Sequence, residues 1–227
     1  MDKLQQFLLV APVLLFSMVA HEYAHGYAAL KQGDQTALML GRLTWNPLKH
    51  IDPVLTVIMP LLTFFTMGFA FGGAKPVPVN PRLYRNFVRG DIIVSLAGVA
   101  TNAALAVALV GLVVALGLAG RALPVIADSA ALLQLAFLYG IMINLVLAAF
   151  NLLPIPPLDG SHVMKYLLPP RWSFRYQQVA RFGFLVLMVL ISVGRPVLTA
   201  WMAPIFYLNR VALSTLSPYV LSSPWTN

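Results

Sequence analysis

Residues 4–30 form an apolar run whose second half contains His21, Glu22 and His25. The run is long enough for the roughly 20 residues a helix needs to cross a hydrocarbon core. Two imidazoles and a carboxylate are costly there unless they meet partners. The stretch must therefore fold as a helix and carry those groups to something that stabilises them. On a helix, positions four apart lie about 40° apart around the axis and one turn apart along it. His21 and His25 can thus reach one metal ion from one face. Glu22 follows the first ring and is placed to hold and deprotonate a water at that ion, as the His-Glu-x-x-His pattern requires. Imidazole and carboxylate donors suit a single zinc ion that keeps one position open.

The rest of the chain agrees with a membrane setting. Of its 227 residues 59% are hydrophobic and only 10% are charged, against about a quarter charged in an ordinary soluble domain. The sequence predicts an all-α polytopic membrane protein, a transmembrane helix bundle with a short membrane-associated β-hairpin and re-entrant region. One domain spans 1–227, with its core at 4–165. The net charge of +8 does not point to nucleic acid, because the basic residues fall between apolar runs, where the positive-inside rule accounts for them. There are no cysteines, which excludes disulfides and thiolate metal sites. The first run carries the metal pattern and lacks a small-residue cleavage site, so it is read as retained.

Gly33 and Asp34 end the first helix. Residues 36–50 are short, partly alternating and broken by Gly41 and Pro47, which predicts a surface strand or hairpin. Residues 53–73 are apolar but interrupted by Pro53, Pro60, Gly68, Gly72 and Gly73, and Lys75 to Pro81 reads as an extended loop. Asp91 is a candidate N-cap for a long helix over 91–119 that contains Gly98 and Asn102. A further helix over 130–153 carries Asn144 and Asn151 and ends in Leu152-Leu-Pro-Ile-Pro-Pro-Leu-Asp159-Gly160. Two apolar stretches separated at Gly194-Arg195-Pro196 predict a helical hairpin at about 182–213.

A catalytic zinc normally has three protein ligands, so one is missing. Asp159, His50 and His162 are the candidates. Besides Glu22, Asp159 is the carboxylate at the end of a long apolar helix, and the prolines before it unwind the chain so that its side chain can turn inward; it could also be a simple cap. His162 suits a surface or supporting role. Intramembrane amides such as Asn102, Asn144 and Asn151 either bond neighbouring helices or serve a site, and Asn144 suits the first role best.

His21-Glu-Tyr-Ala-His25 in a first apolar helix, paired with Asn151-Leu-Leu-Pro-Ile-Pro-Pro-Leu-Asp159-Gly160 ending a later one, resembles the site-2 protease family of intramembrane metalloproteases. Gly41-Arg-Leu-Thr-Trp-Asn-Pro-Leu and Ala97-Gly98 through Asn102 also resemble family segments, although many relatives have proline where this chain has Val99. The resemblance covers about residues 15–165. It implies zinc held by His21, His25 and Asp159, Glu22 as catalytic base, and Asn102 and Asn151 at the substrate backbone or oxyanion. No PDZ or CBS module is visible, as in a minimal form.

Parity tests the three-ligand site. His25 and Asp159 both lie toward the C-terminal ends of their helices, so those helices must run the same way. The helix at 91–119 supplies one return crossing, and 53–73 must dip in and return without crossing, as its prolines and glycines allow. Eleven of the fifteen Lys and Arg residues then share the ligand face: Lys31, Arg42, Lys49, Lys75, Arg82, Arg85, Arg89, Lys165, Arg171, Arg175 and Arg181. That face is expected to be cytoplasmic in a cell membrane. The expected function is a zinc endopeptidase that cuts transmembrane segments of protein substrates near that face, with the 36–50 hairpin pairing to the unwound substrate. A metal transporter or sensor, or a catalytically silent scaffold, is the alternative use of the same ligands. The sequence names neither substrate nor oligomeric state.

Overall fold

The computed structural model of the chain describes residues 2–68, 70 and 72–222. Among these residues three helices are long and apolar enough to cross a membrane, and the chain is an integral membrane protein. Helix α1 (Lys3–Gln32) opens on a capping box, in which Asp2 and Gln5 each take the other's backbone N–H. It closes on Gly33, whose φ of +111° is one that glycine adopts without strain. Helix α2 (Thr36–Met39) is a single turn, and α3 (Met59–Met67) continues a π-turn over Pro53–Ile58. Helices α4 (Phe87–Ala122) and α5 (Ala127–Asn151) are the other two long ones. The short α6 (Asp159–Leu167), α7 (Pro170–Val179) and α8 (Gly183–Ser192) lead to α9 (Arg195–Leu216).

Side-chain contacts give the directions. Along α1, Gln6 meets Tyr139 and Ser17 meets Asn144 on α5, while His21 meets Asn102 and His25 meets Val94 on α4. Partner numbers rise along α5 and fall along α4. Helices α1 and α5 therefore run parallel and α4 runs against them, which is the parity the sequence required.

Polarity is arranged as a lipid solvent demands. Small or polar residues such as Ser17, Ala20, Gly98, Asn102, Gly140 and Ala148 are buried between the long helices. Small side chains let the backbones approach closely. Large apolar residues such as Leu8, Phe16, Val107 and Leu133 point outward. Near the C-terminus α8 packs through Leu187 on Leu153 and Leu158, and Trp201 of α9 donates to the Ala149 carbonyl of α5.

The region 34–80 departs from the expected hairpin. Among the described residues no strand forms, and 36–50 is a helical turn followed by a bend and a 3-10 turn at Pro47–Lys49. Buried Asp34 takes the Thr36 N–H at 2.9 Å and so starts a helix, and Gly41 at φ +62° turns the chain away before any partner strand is reached. Asp34 also takes the Asn80 N–H at 2.6 Å, tying down the extended stretch after Lys75. The excursion through α3 returns to its start: Lys75 N–H donates to His50 O at 2.8 Å and Gly73 N–H to Leu55 O at 2.9 Å. The segment leaves and rejoins the protein at one place. Asp91 is not the cap expected for α4; Asn86 is, accepting from Arg89 N–H at 2.9 Å, while Asp91 is buried one turn inside.

Candidate metal centre

The spacing of His21 and His25 puts both Nε2 atoms on the face of α1 that meets α4, 3.0 Å apart. Asp159 Oδ2 arrives from the start of α6, 3.2 Å from one Nε2 and 3.4 Å from the other. One donor atom from each of the three lies within 4.8 Å of the others, a group able to hold a metal ion. The remaining ring nitrogens fix the tautomers. His21 Nδ1 faces Asn102 Oδ1 at 2.5 Å and His25 Nδ1 faces the Val94 carbonyl at 2.7 Å. Both partners accept, so both Nδ1 atoms donate and both Nε2 atoms present lone pairs. Asp159 Oδ2 is buried with no hydrogen-bond donor among the described residues. Three electron-rich atoms facing one another across so short a space repel unless a cation lies among them. Two nitrogens and one oxygen with a further position open suit zinc.

Each donor is held from behind. Asn102 Nδ2 donates to Asn144 Oδ1 at 2.8 Å and to Ser17 O at 3.3 Å, and Asn144 Nδ2 donates to Ser17 Oγ and Gly140 O. Gly98 leaves the room the rings occupy, since a Cβ there would come within 2.6 Å of both Nε2 atoms. Asp159 is delivered by the turn after α5, in which Leu153 and Leu158 are buried against Leu187. At Gly160 any Cβ would lie 2.2 Å from Leu152 O, so only glycine lets the turn close.

Helix α6 is anchored by one buried carboxylate. Asp91 on α4 receives Tyr166 Oη at 2.8 Å, Lys165 Nζ at 2.5 Å and His162 Nδ1 at 3.2 Å. Burial and the Asp91 charge push the Tyr166 phenol above its ordinary range, which keeps it a donor. Sequence reading missed this anchor. The signal was present: a lone acid inside an apolar helix marks a working position.

Of the three candidates for the third donor, only Asp159 meets the rings. His50 is fully buried with Nε2 on Thr44 O, and His162 lies on Asp91. Glu22 turns beside the cluster and its Oε2 accepts the Val77 N–H at 2.8 Å. Asn102, expected at the substrate, instead has both amide hydrogens and its oxygen engaged inside the bundle. Asn151 gives a hydrogen to Leu147 O of its own helix. The 36–50 segment offers no strand edge to a substrate.

Comparison with known proteins follows the same lines. The sequence profile of Peptidase family M50 matches residues 118–192. "Putative zinc metalloprotease YwhC" of Bacillus subtilis is 37% identical over 187 residues, covering 82% of this chain and 80% of that protein. "Putative zinc metalloprotease Rip2" of Mycolicibacterium smegmatis is 33% identical over 201 residues, covering 88% of this chain and 72% of that one. "Putative zinc metalloprotease MJ0611" of Methanocaldococcus jannaschii is 32% identical over 108 residues, 47% of this chain and 51% of that protein. No solved structure matches. The chain belongs to peptidase family M50, the site-2 protease family.

Proposed function

We propose that this protease is a zinc-dependent endopeptidase that cuts transmembrane segments of other membrane proteins close to the cytoplasmic face. One observation carries the reading: His21 and His25 of α1 and Asp159 of α6 converge on one point among apolar, membrane-length helices. They are the zinc ligands, and Asn102, Val94 and Asp91 keep them aligned. When bound, zinc supplies Lewis acidity to the scissile carbonyl and to the attacking water. Glu22 takes the proton from that water and passes it to the leaving amine. Its hydrogen bond from Val77 fixes the carboxylate beside the ligands. Asn102 acts on His21 and not on the substrate. Asn151, the last residue of α5 and eight positions before Asp159, remains the side chain assigned to orient the scissile segment. The ligand face is cytoplasmic because loops 31–52, 74–90 and 160–181 carry most of the Lys and Arg residues.

The test compares variants purified in detergent. His21→Ala and Asp159→Ala should lose zinc. Glu22→Ala should keep both zinc and fold, yet fail to cut a transmembrane test substrate. A Glu22→Ala form that still cuts overturns the mechanism.

A further inference from the structure

Residues 160–227 contain neither Asp nor Glu. Helix α7 and the turn after it nevertheless carry Arg171, Arg175 and Arg181, all exposed. Among the described residues none of the three joins an ion pair; the carboxylate contacts that form are those of Asp159 and Asp91. The guanidiniums of Arg175 and Arg181 lie over rings instead, 5.9 Å from Trp172 and 5.0 Å from Phe182. Helical spacing puts Arg171 and Arg175 one turn apart on the outward face, with exposed Trp172 and Phe174 on its two flanks. The opposite face, with Ser173 and Tyr176, is half-buried. The stretch Pro170–Phe182 meets the apolar Leu185–Ser192 at 80°. A helix bent by 80° from one that enters the hydrocarbon lies along the surface at headgroup depth.

We infer that α7 is a docking surface for anionic phospholipid. Arg171, Arg175 and Arg181 bind headgroup phosphates, and Trp172 and Phe174 sit in the interfacial layer. Three exposed guanidiniums with no carboxylate partner among the described residues attract anions, and guanidinium is the side chain best matched to phosphate oxygens. Choline-headed lipids offer phosphate with a compensating cation; glycerol-headed ones leave the negative charge free. The site bears on the metal centre. Tyr176 on the inner face donates to Pro154 O at 2.8 Å, within the turn that delivers Asp159.

The full chain, solubilised and stripped of lipid, is titrated with phosphatidylglycerol or phosphatidylcholine, and retained lipid is read by native mass spectrometry. Phosphatidylglycerol should be retained preferentially. The R171Q/R175Q/R181Q variant should lose that preference by on the order of a hundredfold, about fivefold per arginine. The triple Arg→Lys variant, which keeps the charge, should retain most of it and so controls for folding. Equal retention of the two lipids by the wild type overturns the proposal, as does undiminished preference in the triple Gln variant. Displacement of the lipid by an equal concentration of inorganic phosphate would show a simple anion site and overturn the assignment to lipid. The titration is repeated on the Glu22→Ala form, so lipid docking is read apart from any cleavage.

Discussion

A Cβ on Gly98 of α4 would stand 2.5 Å from Cε1 of His21, nearer than such atoms come. The imidazole occupies the volume that any other residue at 98 would fill. Gly98→Ala should therefore push the ring aside and weaken zinc binding by about tenfold to a hundredfold, the usual effect of disturbing what supports a ligand. Helix content should stay unchanged by circular dichroism. Gly111→Ala on the same helix is the control, since a Cβ there meets none of the described residues within 4 Å. Equal zinc affinity in both variants would show that the rings do not hold the metal in this arrangement.

Asn102 and Asn144 relay a hydrogen-bond chain from His21 back to Ser17. Asn102→Ala removes the acceptor that fixes the His21 tautomer, and zinc affinity should fall by about tenfold to a hundredfold. Asn102→Asp keeps an acceptor and should retain more of it. Asn144→Ala leaves the first bond in place and should have a smaller effect. Competition with a chromogenic chelator ranks the three.

Asp91 holds three donors of α6 on one buried carboxylate. Asp91→Ala should destabilise the protein by about 3 kcal/mol, the scale for removing one partner of a buried pair. It should also weaken zinc binding, because α6 begins at Asp159. A double-mutant cycle with Lys165→Ala reads the coupling. Lost thermal stability with unaltered zinc affinity would confine Asp91 to the fold.

Closure of the α3 excursion by His50 and Lys75 has a topological test. Cysteines introduced singly in place of Lys49, Arg85 and Arg171 should all react with an impermeant maleimide from the same side of the membrane. If the Arg85 position alone reacts from the other side, α3 crosses and the proposed ligand set cannot assemble.

Much of this was legible in the chain. Apolar length gave the spans, and the four-residue spacing of His21 and His25 gave the shared face because a helix repeats at 3.6 residues wherever it lies. Alternation at 36–50 misled, because a strand needs a neighbour whereas Asp34 offers a helix start within two residues. The family resemblance placed Asn102 at the substrate, and residue type alone could not decide, because it does not say which way an amide faces. Asp91 contacts residues 71 to 75 positions away; its place in an apolar helix marked it as a working position, but nothing local named its partners.

A detour whose two ends are fastened together is neutral for everything downstream. Because His50 and Lys75 meet, the stretch between them can be lengthened, shortened or given another sequence without inverting α4 or α5. The orientation of Asp159 is thereby insulated from whatever lies between residues 51 and 74. In an engineered protein that stretch is the place to graft a new recognition element, provided the seat of Phe64 and Phe65 on Phe7 of α1 is kept.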